Sequence, residues 1–212
     1  MKCVRPCVMP TDDPSWVDET FVDVDWYGRE LSGGTFSRCL FDGVDLTEAT
    51  TNSTTFDSCA FTNCRWNASR HVGSAFVACT FRRTSFFSAH LDGCKLAGST
   101  FVDCTLRPLT VRRGQWRHVG MRGAQLSRLD LADLDLQDAD LSDVDLSETS
   151  LRGCDLSHAT LSHANLRGAD LRGARLGGTD LHLARLRGTH FDLTGAVLLA
   201  EAHGAVVHVE TS

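Results

Sequence analysis

Cysteine and histidine are the residues here most able to do chemistry, and the chain has nine of each. Clustered they would bind a metal, paired cysteines would form disulfides, and a Cys beside a His would make a nucleophile. Their spacing argues against all three. No CxxC pair occurs, and no Ser/His/Asp or Cys/His arrangement or phosphate-binding glycine loop stands out. Cys39, Cys59, Cys64, Cys79, Cys94, Cys104 and Cys154 instead share one place, two residues before a recurring apolar or central residue. Free cysteine in such a slot acts as a small buried hydrophobe. Cys3 and Cys7 lie outside the pattern and have no assigned role. His158 and His163 are five apart, so they hold equivalent outward positions on adjacent faces and point away from a shared metal. No metal, cofactor or enzymatic activity is expected.

The carboxylates are more telling. Asp130, Asp133, Asp135, Asp138, Asp140, Asp143, Asp145, Glu148 and Asp155 fall in one stretch whose cations are Arg128 and Arg152, an excess of 9 − 2 = 7 negative charges. Just before it, Thr105 to Gln125 holds Arg107, Arg112, Arg113, Arg117 and Arg122 and no acid. A charged surface is ordinarily a solvated one. So dense an acidic band repels itself, which makes it the candidate contact for a basic partner.

A repeat positions all of these residues. From Phe21 to Phe191 every fifth residue is apolar in 33 of 35 cases, and thirteen in succession, Leu126 to Leu186, are leucine. Neither a helix nor a strand keeps a period of five. A chain that turns a corner every five residues makes a square coil of about 20, and coils stack at about 4.8 Å through backbone hydrogen bonds. The central residue and the small residue two before it point inward, and the other three point outward. Residues 20 apart then form columns. One is Phe21, Phe41, Phe61, Phe81, Phe101, Met121 and Leu141; another is Phe36, Phe56 and Phe76. The exceptions, Thr51 and His71, share a column too, and are expected either to be hydrogen-bonded or to turn outward, with a functional pocket as the minority reading.

This pattern resembles the pentapeptide-repeat family, which implies an all-β, right-handed quadrilateral β-helix. Trp16-Val17-Asp18, Gly73-Ser74-Ala75-Phe76, Leu106-Arg107-Pro108-Leu109-Thr110 after Cys104, and Ala202-His203-Gly204 are similar to the branch that interacts with DNA gyrase and confers fluoroquinolone resistance. That resemblance implies a homodimeric rod that binds a type II topoisomerase, DNA gyrase above all, by mimicking a DNA duplex. The Arg-rich segment after Pro108 departs from the more acidic surface expected of that branch.

The expected organisation is a tail at 1–15, the coil at 16–193 and a cap at 194–212. In the cap, Gly195–His203 reads as a helix stopped by Gly204, followed by a short strand. Val197, Leu198, Leu199, Val206, Val207 and Val209 exceed what capping one coil requires, so they are the candidate dimer interface. With 212 residues, a net charge of −6 and no apolar run approaching the roughly 20 of a membrane span, one cytoplasmic domain is expected, with no membrane and no direct nucleic-acid contact. About nine coils make a rod of roughly 42 Å, a length of duplex that carries about 25 charges, far more than this protein has. The band spans about 7 Å, where DNA carries about four. Charge mimicry is therefore expected to be local. The competing readings are a scaffolding module for another partner and, least favoured, an enzyme.

Overall fold

The structure is a computed structural model and describes residues 15–202 and 204–208. Cys3, Cys7, His203 and Val209 lie outside the described residues, as does the expected tail except Ser15, which already belongs to the first strand.

The chain winds into a right-handed four-sided β-helix. Face I carries the column Phe21, Phe41, Phe61, Phe81, Phe101. Face II carries Trp26, Leu46, Trp66, Phe86. Face III carries Leu31, Thr51, His71, Leu91. Face IV carries Trp16, Phe36, Phe56, Phe76. Strands β2 (Thr20–Val22), β5 (Leu40–Asp42), β8 (Ala60–Thr62), β11 (Thr80–Arg82) and β13 (Thr100–Val102) stack in parallel on face I. Strands β1 (Ser15–Val17), β4 (Thr35–Ser37), β7 (Thr55–Asp57) and β10 (Ala75–Val77) cover face IV. Strands β3 (Glu30–Ser32), β6 (Thr50–Asn52) and β9 (Arg70–Val72) cover face III, and β12 (Ala89–Lys95), bending from face III to face IV, makes the strands of these two faces one sheet. Strand β14 (Leu109–Gln115) pairs with β12. The register is 20 residues throughout: Phe41 pairs with Phe21 and Phe61, and Thr51 with Leu31 and His71. Beyond Gln115 the ladder continues as isolated parallel bridges with the same offset, such as Gln115 to Asp135 and Asp140 to Thr160.

Every central residue from Phe21 to Leu181 is buried, and Leu186 and Phe191 are half-buried at the last coil. The rings stack along their columns at 4.3–5.0 Å within 16° of parallel, from Trp16 to Phe76 and from Phe21 to Phe101. Each such pair adds about 0.5–1.5 kcal/mol to the area it buries. The corner two residues after the central one is left-handed, with φ near +60° at Asp133, Asp138, Asp143 and Glu148. That conformation suits Gly, Asn and Asp, whose short side chains tolerate it best.

Hydrogen-bond accounting explains the cysteines. In each rung the central residue's N–H donates to the next coil, as Trp26 does to Asp45, but its carbonyl takes no part in the ladder. A buried carbonyl needs a donor. At Trp26, Leu46, Trp66 and Phe86 on face II, and on most rungs from Trp116 onward, the turn supplies it: Ala49 N–H donates to Leu46 O, and Val119 N–H to Trp116 O, whereas Leu131 O takes Cys154 Sγ at 3.0 Å. On many rungs of the strand faces a side chain supplies it, from the small slot 23 residues onward. Ser99 Oγ donates to Phe76 O at 2.7 Å, Thr84 to Phe61 O, and Thr54 to Leu31 O. Cys39, Cys59, Cys64, Cys79, Cys94 and Cys104 make the same bond to Trp16, Phe36, Phe41, Phe56, His71 and Phe81 at 3.3–3.5 Å. These cysteines are packed as expected, and they are also weak donors.

Candidate functional site

Thr51 and His71 were expected to be hydrogen-bonded or turned outward. They point inward, both buried, and carry a polar chain through the core. Ser69 Oγ donates to Trp66 O at 2.6 Å, which leaves it an acceptor for His71 Nε2–H at 2.8 Å. His71 Nδ1 then accepts from Thr51 Oγ1–H, and Thr51 Oγ1 accepts from Ser74 Oγ, each at 2.8 Å. Burial pushes the His71 imidazole down to about 3, so it is neutral, as this proton order requires. Every polar side-chain atom in this network has its partner. It joins adjacent coils and serves the core, not a ligand.

The acidic band is a ring. Asp130 and Asp133 lie on face III, Asp135, Asp138 and Asp155 on face IV, Asp140 and Asp143 on face I, and Asp145 and Glu148 on face II, because successive repeats turn to successive faces. No single flat surface presents all nine. Cations in neighbouring coils also neutralise part of the ring: Arg117 pairs with Asp135 at 2.7 Å, Arg122 with Asp143 at 2.9 Å, Arg128 with Glu148 at 2.9 Å and Arg175 with Asp155 at 3.0 Å. Asp155 is buried, with Gln137 as a further donor, and is a poor outward contact. His118 stands 3.9 Å from Asp138. Asp130, Asp133 and Asp140 are exposed with no cation partner among the described residues. Asp145 is half-buried and accepts from Ser147 and Asn165. Burial raises its pKa, but these bonds outweigh burial and hold the carboxyl below its usual range. The Arg128 guanidinium holds Glu148 low in the same way.

Sequence reasoning missed this pairing, and it missed Asp170, held well below the usual carboxylate range by Arg172 and then Arg152. The signal was present. The offset of 20 that aligns the phenylalanines also aligns Arg128 with Glu148 and Arg175 with Asp155, and offsets of 18 and 21 find Arg117 with Asp135 and Arg122 with Asp143.

At the C-terminus, α1 (Leu193–Ala202) begins where Asp192 Oδ1 accepts the Gly195 N–H at 2.8 Å. It ends at Gly204, whose φ of +83° and N–H bond to Glu201 O, with Ala205 N–H to Ala200 O, make a Schellman motif. Leu198 and Leu199 pack on the core against Leu176 and Leu181, so they serve the cap. Val197 is half-buried. The expected strand does not form: residues 205–208 have no strand pairing, with Val206 81% exposed and Val207 half-buried. Leu193, which sequence reasoning passed over, is 75% exposed.

Residues 121–157 and 149–188 match the family of pentapeptide repeats, in eight copies. Over 101 residues the chain is 36% identical to "Pentapeptide repeat protein MfpA" of Mycobacterium tuberculosis (strain ATCC 25618 / H37Rv). That match covers 45% of this chain and 44% of the relative, so the chain spans under half the length of the curated relative it matches. Among solved structures, a trypsin-treated variant of QnrB1, a plasmid-mediated fluoroquinolone resistance protein, superposes with a TM-score of 0.81 at 21% identity, over 92% of this chain and 98% of that one. A second trypsin-treated variant of QnrB1 gives 0.58 at 18% identity over the same shares. The repeat from Phe21 to Phe191 builds the four-sided coil that these solved structures share, and residues 121–188 within it match the pentapeptide-repeat model.

Proposed function

We propose that this rod binds DNA gyrase, a type II topoisomerase, in place of a DNA duplex, and so confers resistance to fluoroquinolones or other gyrase poisons. The observation that carries the reading is the acidic ring, in which carboxylates such as Asp130, Asp133 and Asp140 project from a rigid coil with no cation partner among the described residues. Ladder and core fix their positions, so meeting a basic groove costs little ordering. The likeness to MfpA and to a fluoroquinolone resistance protein supports the same partner. The role is one of binding, not catalysis. In the reading a C-terminal homodimer doubles the rod, with Leu193, Val197 and Val206 at its interface, and the ring sits nearer the two-fold than the Arg-rich coil does.

The four ion pairs that neutralise part of the ring favour a second reading, a scaffold for a partner that is not DNA-binding. A supercoiling assay with purified gyrase, with and without fluoroquinolone, separates the two. Altered supercoiling or relief from the drug supports the first reading, and no effect at any protein concentration rejects it.

A further inference from the structure

We propose that face III carries a binding site for phosphate groups, formed by Arg70 and Arg112 across a shallow depression of about 500 Å³. The strand register lays six side chains on a grid. Arg70, His90 and Thr110 form one column, and Val72, Asp92 and Arg112 the next. Rungs are about 4.8 Å apart and alternate residues about 6.6–6.8 Å. The two arginines therefore stand at opposite corners, and the shorter Val72, Asp92 and Thr110 leave the space between them open.

Three observations point to an anion. The side chains of Arg70 and Arg112 are exposed and make no hydrogen bond or ion pair among the described residues, whereas most other arginine side chains are paired with an acid or a polar side chain. Asp92, the one acid on the grid, lies 3.8 Å from Arg113, which offsets its charge, so the depression is cationic in a protein of net charge −6. His90 lies half-buried in the floor with its Nδ1 enclosed and unpartnered. Rotation about χ2, a soft torsion, turns that nitrogen into the depression, where a phosphate oxygen gives it the partner the protein does not. Planar guanidinium forks suit phosphate oxygens, and the Thr110 hydroxyl is a further donor. A phosphate group has two sources, a small phosphorylated molecule or the backbone of DNA. The acidic ring begins on the next coil, where Asp130 follows Thr110 in the same column.

The test titrates the full chain with inorganic phosphate and, separately, with a short DNA duplex, by calorimetry and by amide chemical shifts. The probes are repeated on Arg70→Gln/Arg112→Gln and on Arg167→Gln/Arg187→Gln, which removes from face II two arginines whose side chains have no partner among the described residues. Thermal melts confirm that both variants are folded. Saturable phosphate binding, with shifts at 70–72, 90–92 and 110–112, is expected to weaken at least about tenfold in the face III variant and to change little in the face II variant. Binding of the duplex alone with that same selectivity identifies the DNA backbone as the source. Absence of saturable binding of either probe, or equal loss in the two variants, overturns the proposal.

Discussion

The first five coils and the last four follow the same square path, yet they close it differently. Up to Gln115, three faces are true strands, the core is aromatic, and central carbonyls are satisfied by Thr, Ser and Cys side chains of the next coil. From Trp116 onward most rungs close on their own turn, the core is mainly leucine, and the small slot is often Ala, as at 139, 159, 164 and 169. The two features move together for one reason. A turn that donates to the central carbonyl frees the slot from carrying a donor, and a strand that does not turns the slot into a hydrogen-bonding position. The N-terminal half therefore relies more on slot side chains to serve the central carbonyls, while the C-terminal half relies mainly on the turn.

Ring removal should break this comparison most severely. Phe61→Ala deletes a ring stacked on Phe41 at 4.5 Å and Phe81 at 4.9 Å, and is expected to cost about 3–5 kcal/mol. Leu151→Ala in the other half should cost about 2–5 kcal/mol. Guanidinium unfolding of Phe61→Leu separates the two cores. About 1 kcal/mol or more should be lost with the stacking, and no loss would mean that the ring ladder contributes nothing beyond its volume.

Acid should act next, and on the N-terminal half. His71 ordinarily titrates near 6.5, and burial lowers it in the fold to about 3. Below about pH 6.5 the unfolded chain takes a proton that the native core refuses, so the stability His71 contributes is present above that pH and is lost as pH falls toward 3. The loss by pH 4 is on the order of a few kcal/mol. Melting temperatures between pH 7.5 and 5 should fall more steeply in the wild type than in His71→Leu. Parallel slopes would show that the imidazole is solvated.

A smaller effect isolates the carbonyl rule. Thr84 and Thr149 occupy the same slot and both donate to the central carbonyl 23 residues back. For Thr84 that bond is what serves Phe61 O, whereas Leu126 O also receives the Leu129 N–H at 3.4 Å. Thr84→Val should therefore cost about 1–2 kcal/mol and Thr149→Val clearly less. Urea midpoints that drop equally would reject the division of labour between side chain and turn.

The fold was legible because its period is longer than that of any competing element and is written in the largest side chains. Phe21 to Phe101 and Leu126 to Leu186 leave no other way to bury the same residue every five positions. The inward column of Thr51 and His71 was harder, since both residue types are at home on a surface. What pulls them in is Ser69 and Ser74, two ordinary slot residues whose hydroxyls complete the chain. The acidic band was seen as a run along the sequence, and it became a ring because five residues of sequence equal one change of face. Its neutralisation by Arg117, Arg122, Arg128 and Arg175 depends on contacts 18 to 21 residues away, which a count of local charge does not register. The missing terminal strand has a plain cause: residues 205–208 follow the helix with no neighbouring strand edge to pair with.

The smallest effect on the fold should carry the largest information about function. Asp133, Asp138 and Asp140 project from three consecutive repeats, and none is bonded to an arginine among the described residues. Asp133 and Asp138 occupy left-handed corners that Asn tolerates as well as Asp. The triple change Asp133→Asn/Asp138→Asn/Asp140→Asn should therefore leave the melting temperature nearly unchanged. If the ring meets lysines and arginines of gyrase, the same change should weaken gyrase binding about fivefold or more and flatten its dependence on salt. The internal pairs give the opposite arm. Arg117→Gln/Arg128→Gln releases Asp135 and Glu148 from their cations without altering the coil, and should tighten gyrase binding and steepen its salt dependence. A shape-only contact predicts that neither variant moves. A contact that uses the arginines themselves predicts that the second weakens binding. Opposite shifts in the two variants are the signature of a surface that is read by its negative charge.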